Sequence, residues 1–267
     1  MNTFKILEQI NYGKYGVVKK IIYNTTKSNN TISNKKQKIT PTMVVKIIPI
    51  NDNCEKIQNE IKIMKMLNHP NIVSYHDSFY NDMNYYIIME LISGEELFYY
   101  INEIKTFEET DAIQIIKKLM HILQYMHEKN IIHHDIKPEN ILCPDPNDLS
   151  NLVLIDFGLA VQTSTPCSNF VGTPYYMAPE IINFIPHNKS VDLYSCGIIF
   201  YLLLYNELPF NSDDRDEIFN QIRNDEPIFN INIKINEHII NLIQRMIHKN
   251  PYERPSIEMV IDILDNK

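Results

Sequence analysis

"IIHHDIKPEN", Ile131 to Asn140, is the stretch on which the reading of this chain turns. An aspartate, a lysine two residues on and an asparagine three beyond that (Asp135, Lys137, Asn140) make the set expected of a phosphate-handling loop. Two histidines precede the aspartate. The role of the second, His134, has to be explained by the rest of the sequence.

At 267 residues the chain is long enough for one large domain or two small ones, with a sizeable core. An apolar fraction of 44% and an aromatic fraction of 10% suit a globular protein without collagen-like or long disordered tracts. The net charge of -8 argues against non-specific nucleic-acid binding and makes basic partners the easier fit. Usage leans to Asn, Ile, Lys and Tyr, with no Trp and only four Arg, which reads as codon bias and makes each arginine worth asking about. Cys54, Cys143, Cys167 and Cys196 lack C-x-x-C spacing, so neither a zinc site nor a disulfide framework is indicated. A reducing compartment is expected. The opening "MNTFKILEQI" carries charges and lacks the apolar core of a signal peptide. The longest apolar run, Cys196 to Tyr205, is about half what a membrane-spanning helix needs and is read as a buried helix. The expectation is a soluble, cytoplasmic monomer with no nucleic-acid or membrane partner.

Residues 1 to about 23 alternate as strand, turn and strand, with Gly13 and Gly16 at the turn. The polar stretch 24–41 is expected to be an exposed loop, and solvation explains its "NKKQK" as well as a localisation signal does. "MVVKIIPI" and "NYYIIMEL" read as strands, and Glu55 to Leu67 as a helix on the spacing Ile57, Ile61, Met64, Leu67. Helices are expected over Glu95–Ile104, Glu108–Lys129, Val191–Tyr205, Asp214–Asn224, Glu237–His248 and Ser256–Leu264, with "NILC" and "LVLIDFG" as a short hairpin. The class is α+β: a strand-rich first third joined to a helical remainder, without internal repeats.

Further motifs fall in order around the opening stretch. "INYGKYGVV" (Ile10 to Val18) is a glycine-punctuated hairpin in which Gly13 and Gly16 let backbone N–H groups approach phosphate oxygens. "VVK" (Val44 to Lys46) supplies a strand lysine, and Glu60 lies on the following helix, nine residues before "HPNIV". "LIDFG" supplies Asp156, a hard oxygen ligand. "GTPYYMAPE" and "NPYERPS" follow. In this order they resemble the eukaryotic protein kinase family, from Ile10 to Arg254.

The resemblance implies a two-lobed fold with a small antiparallel-sheet N-lobe carrying one main helix (about 1–89), a hinge (about 90–94) and a larger, mostly helical C-lobe (about 95–267). It implies ATP and Mg²⁺ as cofactors. Asp135 would accept or orient the proton of an attacking hydroxyl, Lys137 would stabilise the transferring phosphoryl group, and Asn140 and Asp156 would hold the metal. Lys46, paired with Glu60, would contact the α- and β-phosphates. Ile10, Asn11, Gly13, Gly16, Val18, Val44 and Leu142 are placed at the nucleotide by position, Met89 as gatekeeper, Glu90 and Ile92 as adenine contacts and Glu96 as the ribose contact. Asn11 stands where the family has its first glycine, and Val44 replaces the small residue usual above the adenine, which implies a tighter pocket. Lys137 and Thr173 match serine/threonine-specific members, so protein Ser/Thr acceptors are implied. Glu95, Glu96 and Glu139 would favour a basic residue upstream of the acceptor, or form no more than a solvated acidic rim.

Glu180 and Arg254 resemble a buried ion pair of the family, Asp192 the residue that bonds the catalytic-loop backbone, and His133 the residue that packs on Phe157. "ISGEELFYYI" looks most like the calcium/calmodulin-dependent group. The sequence past Arg254 shows no basic amphipathic tail and no D-x-D-x-D-G loop, so direct calcium control by this chain is not expected. His134 replaces an arginine that in many members binds a phosphate on the activation segment. No Lys or Arg lies between Phe157 and Glu180, and Asn169 occupies the usual phosphoacceptor position. Activity without activation-segment phosphorylation is therefore expected. Thr163, Ser164, Thr165 and Ser168 remain candidate sites that a protonated His134 would pair with weakly. A pseudokinase scaffold is the alternative, but Lys46, Asp135 and Asp156 are all retained.

Overall fold

In the computed structural model, residues 3–13, 16–24, 42–50 and 54–266 are described. From residue 25 on, the expected loop 24–41 lies outside them. The chain forms two compact units: one takes residues up to Asn68 together with Val73–Ile92, the other His69–Ile72 and everything from Ser93. Residues 69–72 go with the second unit because Ile72 bridges to Leu154, the Leu154 N–H donates to the Asn71 carbonyl (2.9 Å) and Asn71 Nδ2 donates to the Leu152 carbonyl (2.7 Å).

The first unit is a five-stranded antiparallel sheet in the order β1 (Thr3–Gly13), β2 (Gly16–Asn24), β3 (Thr42–Pro49), β5 (Asn84–Glu90), β4 (Tyr75–Tyr80). Side chains alternate across a strand, so β3 divides its residues between two faces. Met43 and Val45 pack with Ile21 and Ile88 into an apolar cluster flanked by Phe4, Ile47, Phe79 and Tyr86. Phe79 stacks on Tyr86 with centroids 4.8 Å apart. Each fully buried aliphatic side chain here contributes about 1.5–3 kcal/mol relative to exposure. Helix α1 (Cys54–Met66) buries Ile57, Glu60, Ile63 and Met64, with Leu67 just beyond. Ile61, expected on the apolar stripe, is only half-buried, and Ile63 takes its place. β4 was not expected from sequence: its "YHDSFY" is polar and mostly half-buried, as suits an edge strand.

The second unit contains α2 (Leu97–Ile104), α3 (Glu109–Glu128), α4 (Pro179–Ile182), α5 (Ser190–Tyr205), α6 (Arg215–Asn224), α7 (Glu237–Met246) and α8 (Ile257–Asp265). Its strands are short: β6 (Glu95–Glu96), β8 (Ile141–Cys143) and β9 (Val153–Leu154) form one sheet, β7 (Ile131–Ile132) and β10 (Val161–Gln162) another. Glu95 and Glu96, expected to begin a helix, are instead strand residues paired with Cys143 and Leu142. The expected "NILC"–"LVLIDFG" hairpin is present as the antiparallel β8–β9 pair. Asp214 and Ser256 stand one residue before their helices and accept N–H groups of the first turn, which is why Asp and Ser mark these starts. Glu237–His248 is helical only to Met246.

α5 is the core of this unit, buried from Val191 to Tyr205 and packed on α3 and α7. The Cys196–Tyr205 run is thus a buried helix, and no helix among the described residues is long and apolar enough to cross a membrane. At Gly197 the helix meets the end of α7 so closely that an added Cβ would lie 2.9 Å from Met246 Cβ and 2.5 Å from Ile247 Cγ2. Gly197→Ala should therefore destabilise the fold: overpacking costs about 1–3 kcal/mol, more than the ~1 kcal/mol that alanine gains in helix propensity. A lower denaturation midpoint in urea is the expected outcome, and a higher one would show that α7 yields freely.

Candidate active site

Lys46 projects from the middle of the first unit's sheet, with Val18 of β2 and Ile87 of β5 directly opposite it. Paired residues share a face and alternate residues return to it, so Val18, Val44, Lys46 and Met89 lie on one face, the one turned away from the Met43–Val45 cluster. Glu60 falls on the buried stripe of α1 between Ile57 and Met64. A charge there needs a partner, and Lys46 Nζ lies 2.7 Å from Glu60 Oε1, both residues being at least nine-tenths buried. The pairing expected from sequence order is present.

Gly13 and Gly16 close the β1–β2 hairpin as its last backbone pair, and Asn11 pairs with Val18. Gly16 has φ +145°, and a Cβ on it would lie 2.4 Å from the Ile47 carbonyl oxygen, so no other residue fits that backbone. The hairpin tip, residues 14–15, lies outside the described residues. Ile10 and Glu90 are exposed and Ile92 half-buried.

In the second unit the loop 133–140 hangs from a buried carboxylate. Asp192, in the first turn of α5, accepts the backbone N–H of His133 at Oδ2 and of His134 at Oδ1, both at 2.9 Å, and His127 Nε2 donates to Oδ2 at 2.9 Å. Burial opposes its charge, but the His127 hydrogen bond and the nearby imidazoles outweigh that and hold its carboxyl below the usual aspartate range. His134 thereby takes a left-handed backbone conformation with φ +67°.

Asp135 follows with both carboxylate oxygens engaged. Thr173 Oγ1 donates to Oδ1 (2.7 Å), Asn140 Nδ2 donates to Oδ2 (3.1 Å), and Lys137 Nζ lies 3.1 Å from Oδ2 while donating to Thr173 Oγ1 (2.8 Å). Asn140 Nδ2 also donates to the Asp135 carbonyl (2.8 Å), and the Asn140 carbonyl accepts the Ile155 N–H (2.9 Å), which ties the Asp156 segment to this loop. Asp156 has φ +58°, and its Oδ1 accepts the Gly158 N–H (3.2 Å). Phe157 is fully buried edge-on to His133 at 5.2 Å.

Glu96 and Leu142 lie directly opposite each other across β6 and β8. Burial raises the Glu96 pKa, and Glu139 and Glu95 raise it further against the opposing charge of Lys137. Glu180 accepts two parallel hydrogen bonds from Arg254 (2.7 and 2.8 Å), and that guanidinium also donates to the carbonyls of His248 (2.9 Å) and Ser190 (3.1 Å).

One expectation fails. A protonated His134 pairing with an activation-segment phosphate does not fit, because the ring is buried with Nε2 3.0 Å from His187 Nε2, and burial pushes its pKa down to about 4. His127, Cys167 and His187 also bear on the site, and no motif in the sequence pointed to them. Their signal lies only in contacts between residues far apart in the chain.

A sheet unit with a buried lysine–glutamate pair, and a helical unit whose aspartate is framed by lysine, threonine and asparagine, together define a protein kinase domain. The chain belongs to this family: the family model for the protein kinase domain matches residues 4–263. Similar curated proteins include calcium-dependent protein kinase 5 of Plasmodium falciparum, 37% identical over 78% of this chain and 37% of the relative. Calcium/calmodulin-dependent protein kinase type II of Caenorhabditis elegans is 31% identical over 83% of this chain and 30% of its own length. The chain spans about a third of the length of these relatives.

Two outcomes follow for stability. Arg254→Ala strands a buried carboxylate and should cost about 3–5 kcal/mol, read as a fall in unfolding free energy; a loss below about 1 kcal/mol would mean that water reaches Glu180. At His134, the unfolded chain gains a proton below the ordinary imidazole value of 6.5 while the folded chain resists until about 4. Stability from this source therefore falls as pH drops from 6.5 towards 4, and in His134→Gln the pH–stability curve should be flatter over that window.

Proposed function

We propose that the chain is a serine/threonine protein kinase that transfers the γ-phosphoryl group of ATP to hydroxyls of protein substrates, with Mg²⁺ as cofactor. The observation that carries this reading is the Asp135 carboxylate held between the Thr173 hydroxyl, Lys137 and Asn140. So framed, Asp135 has one task, to orient a substrate hydroxyl and take its proton. Lys137 stabilises the charge that develops on the phosphoryl oxygens, and Thr173 keeps the two in register. Relatives named as protein kinases favour a protein acceptor over a small molecule.

The side chains fit the cofactors. Asn140 turns its amide nitrogen to Asp135, which leaves its carbonyl oxygen as a hard donor, and Asp156 adds a carboxylate of the kind Mg²⁺ takes. When bound, Mg²⁺ neutralises phosphate charge and ATP supplies the group transferred. Lys46, steadied by Glu60, would hold the α- and β-phosphates, and the hairpin backbone at Asn11, Gly13 and Gly16 would offer N–H groups to the phosphate chain. Ile10, Val18, Val44, Met89 and Leu142 would take the adenine by apolar contact, Glu90 and Ile92 would do so by backbone hydrogen bonds, and Glu96 would take the ribose. The Glu95, Glu96 and Glu139 patch favours a basic residue upstream of the acceptor.

Activation-segment phosphorylation is not required in this reading. His134 is buried and uncharged at neutral pH, residues 158–179 contain no Lys or Arg, and Asn169 cannot accept phosphate.

Transfer from labelled ATP to a degenerate peptide library should label Ser and Thr but not Tyr, and Asp156→Ala should abolish it. Asp135→Asn should slow it by about 10²–10⁴-fold. Wild-type transfer no greater than that of Asp156→Ala would make the chain a scaffold. Phosphatase-treated protein should keep appreciable activity; activity restored only by phosphorylation at Thr163, Ser164, Thr165 or Ser168 would reverse the regulatory reading.

A further inference from the structure

His134, Cys167 and His187 come together from three separate segments: the loop before Asp135, the stretch between Phe157 and Glu180, and the loop leading into α5. His134 Nε2 and His187 Nε2 are 3.0 Å apart, and Cys167 Sγ is 3.4 Å from the second and 3.8 Å from the first. A tetrahedral zinc ion with bonds of about 2.0 Å to nitrogen and 2.3 Å to sulfur would place its ligand atoms ~3.3 Å (N to N) and ~3.5 Å (N to S) apart. Each observed separation lies within a few tenths of an ångström of those values.

The backbone brings two of the three corners together independently of the ring contacts. Cys167 and His187 form an antiparallel bridge, exchanging N–H to carbonyl bonds in both directions at 3.0 and 2.8 Å. His187 Nδ1 lies 3.3 Å from the Ile185 carbonyl, an acceptor that keeps the proton on Nδ1 and leaves the Nε2 lone pair facing His134. Two imidazole nitrogens that close need a proton or a cation between them. A proton shared by the nitrogens satisfies only that pair and leaves the sulfur with long contacts, 3.4 Å to His187 Nε2 and 3.8 Å to the His187 carbonyl. A cation accounts for all three donor atoms. His134 and His187 are buried while Cys167 is half-exposed, so the sulfur side is open to entry and to a water as fourth ligand.

We propose that His134, Cys167 and His187 form a binding site for a borderline-soft divalent transition-metal ion, Zn²⁺ being the best match to two imidazoles and one thiolate. Binding releases the Cys167 thiol proton to solvent and moves the proton between the two Nε2 atoms to His134 Nδ1, so that both nitrogens and the thiolate bond the metal with no change of oxidation state. The ion clips the segment around Cys167 to the residue next to Asp135, without any phosphate. Metal binding is independent of the proposed catalysis; only its effect on phosphoryl transfer rests on that reading.

The test uses the whole chain, stripped with chelator and titrated with Zn²⁺ and, separately, Co²⁺. The wild type should retain about one equivalent of Zn²⁺ after desalting, and the Co²⁺ form should show a thiolate-to-metal charge-transfer band. Cys167→Ser and His187→Gln should lose both. On the wild type alone, Zn²⁺ but not Ca²⁺ should slow alkylation of Cys167, mapped by mass spectrometry, so the result does not depend on the variants folding. No retained metal together with unprotected Cys167 overturns the proposal, as does equal binding by folded Cys167→Ser. A kinase that fails to bind Zn²⁺, or a Zn²⁺-binding chain without transferase activity, separates this inference from the proposed function.

Discussion

A carboxylate buried in the first turn of α5 holds the catalytic-loop region together. Asp192 is almost wholly out of water, where an unpaired charge would cost several kcal/mol. Three N–H donors answer it, two from the backbone at His133 and His134 and one from the His127 ring on α3. Because the two backbone donors are consecutive, the chain must turn sharply there, and the left-handed His134 is the turn. Asp135, Lys137 and Asn140 take their positions from that bend. The fully buried α5 supplies the rigid base, so a helix with no chemistry of its own positions the residues proposed to carry it.

The sheet unit follows a simpler constraint, the two-residue repeat of a strand. On β3, Met43 and Val45 belong to the apolar cluster, while Val44 and Lys46 point to the other face. A one-residue slip in register would exchange these sets and drive the lysine into the cluster. Pairing on both sides, to β2 and β5, guards against the slip, and the salt bridge to Glu60 rewards only the observed register.

The main elements and the grouping of Asp135, Lys137, Asn140 and Thr173 were readable because motif order and periodicity act over short spans. Glu60 could be named from its distance to "HPNIV", and the helices beginning near Asp214 and Ser256 to within one residue of their starts. β4 was not readable, since a half-buried edge strand need not alternate. Neither were the two-residue strands β7 and β10, nor the single turn α4, which are too short to carry a period. The His134, Cys167 and His187 cluster was hidden for a different reason. Its members stand 20, 33 and 53 residues apart, and spacing rules address only ligands that neighbour each other in sequence.

The scarcity of arginine also sorts the interactions of this chain. The composition is rich in lysine and nearly without arginine. Arg254 stands where a point charge does not suffice: two parallel bonds to Glu180, two carbonyl acceptors and the face of Tyr194 together demand a flat, five-donor group. Arg223 likewise spans Asn183 and the Ile182 carbonyl, and Arg215 lies over Phe170 and Phe219. These three arginines all act on the stretch from the activation segment to α6. At these three positions of the four arginines in the chain, planar geometry, rather than positive charge alone, is what the contacts use.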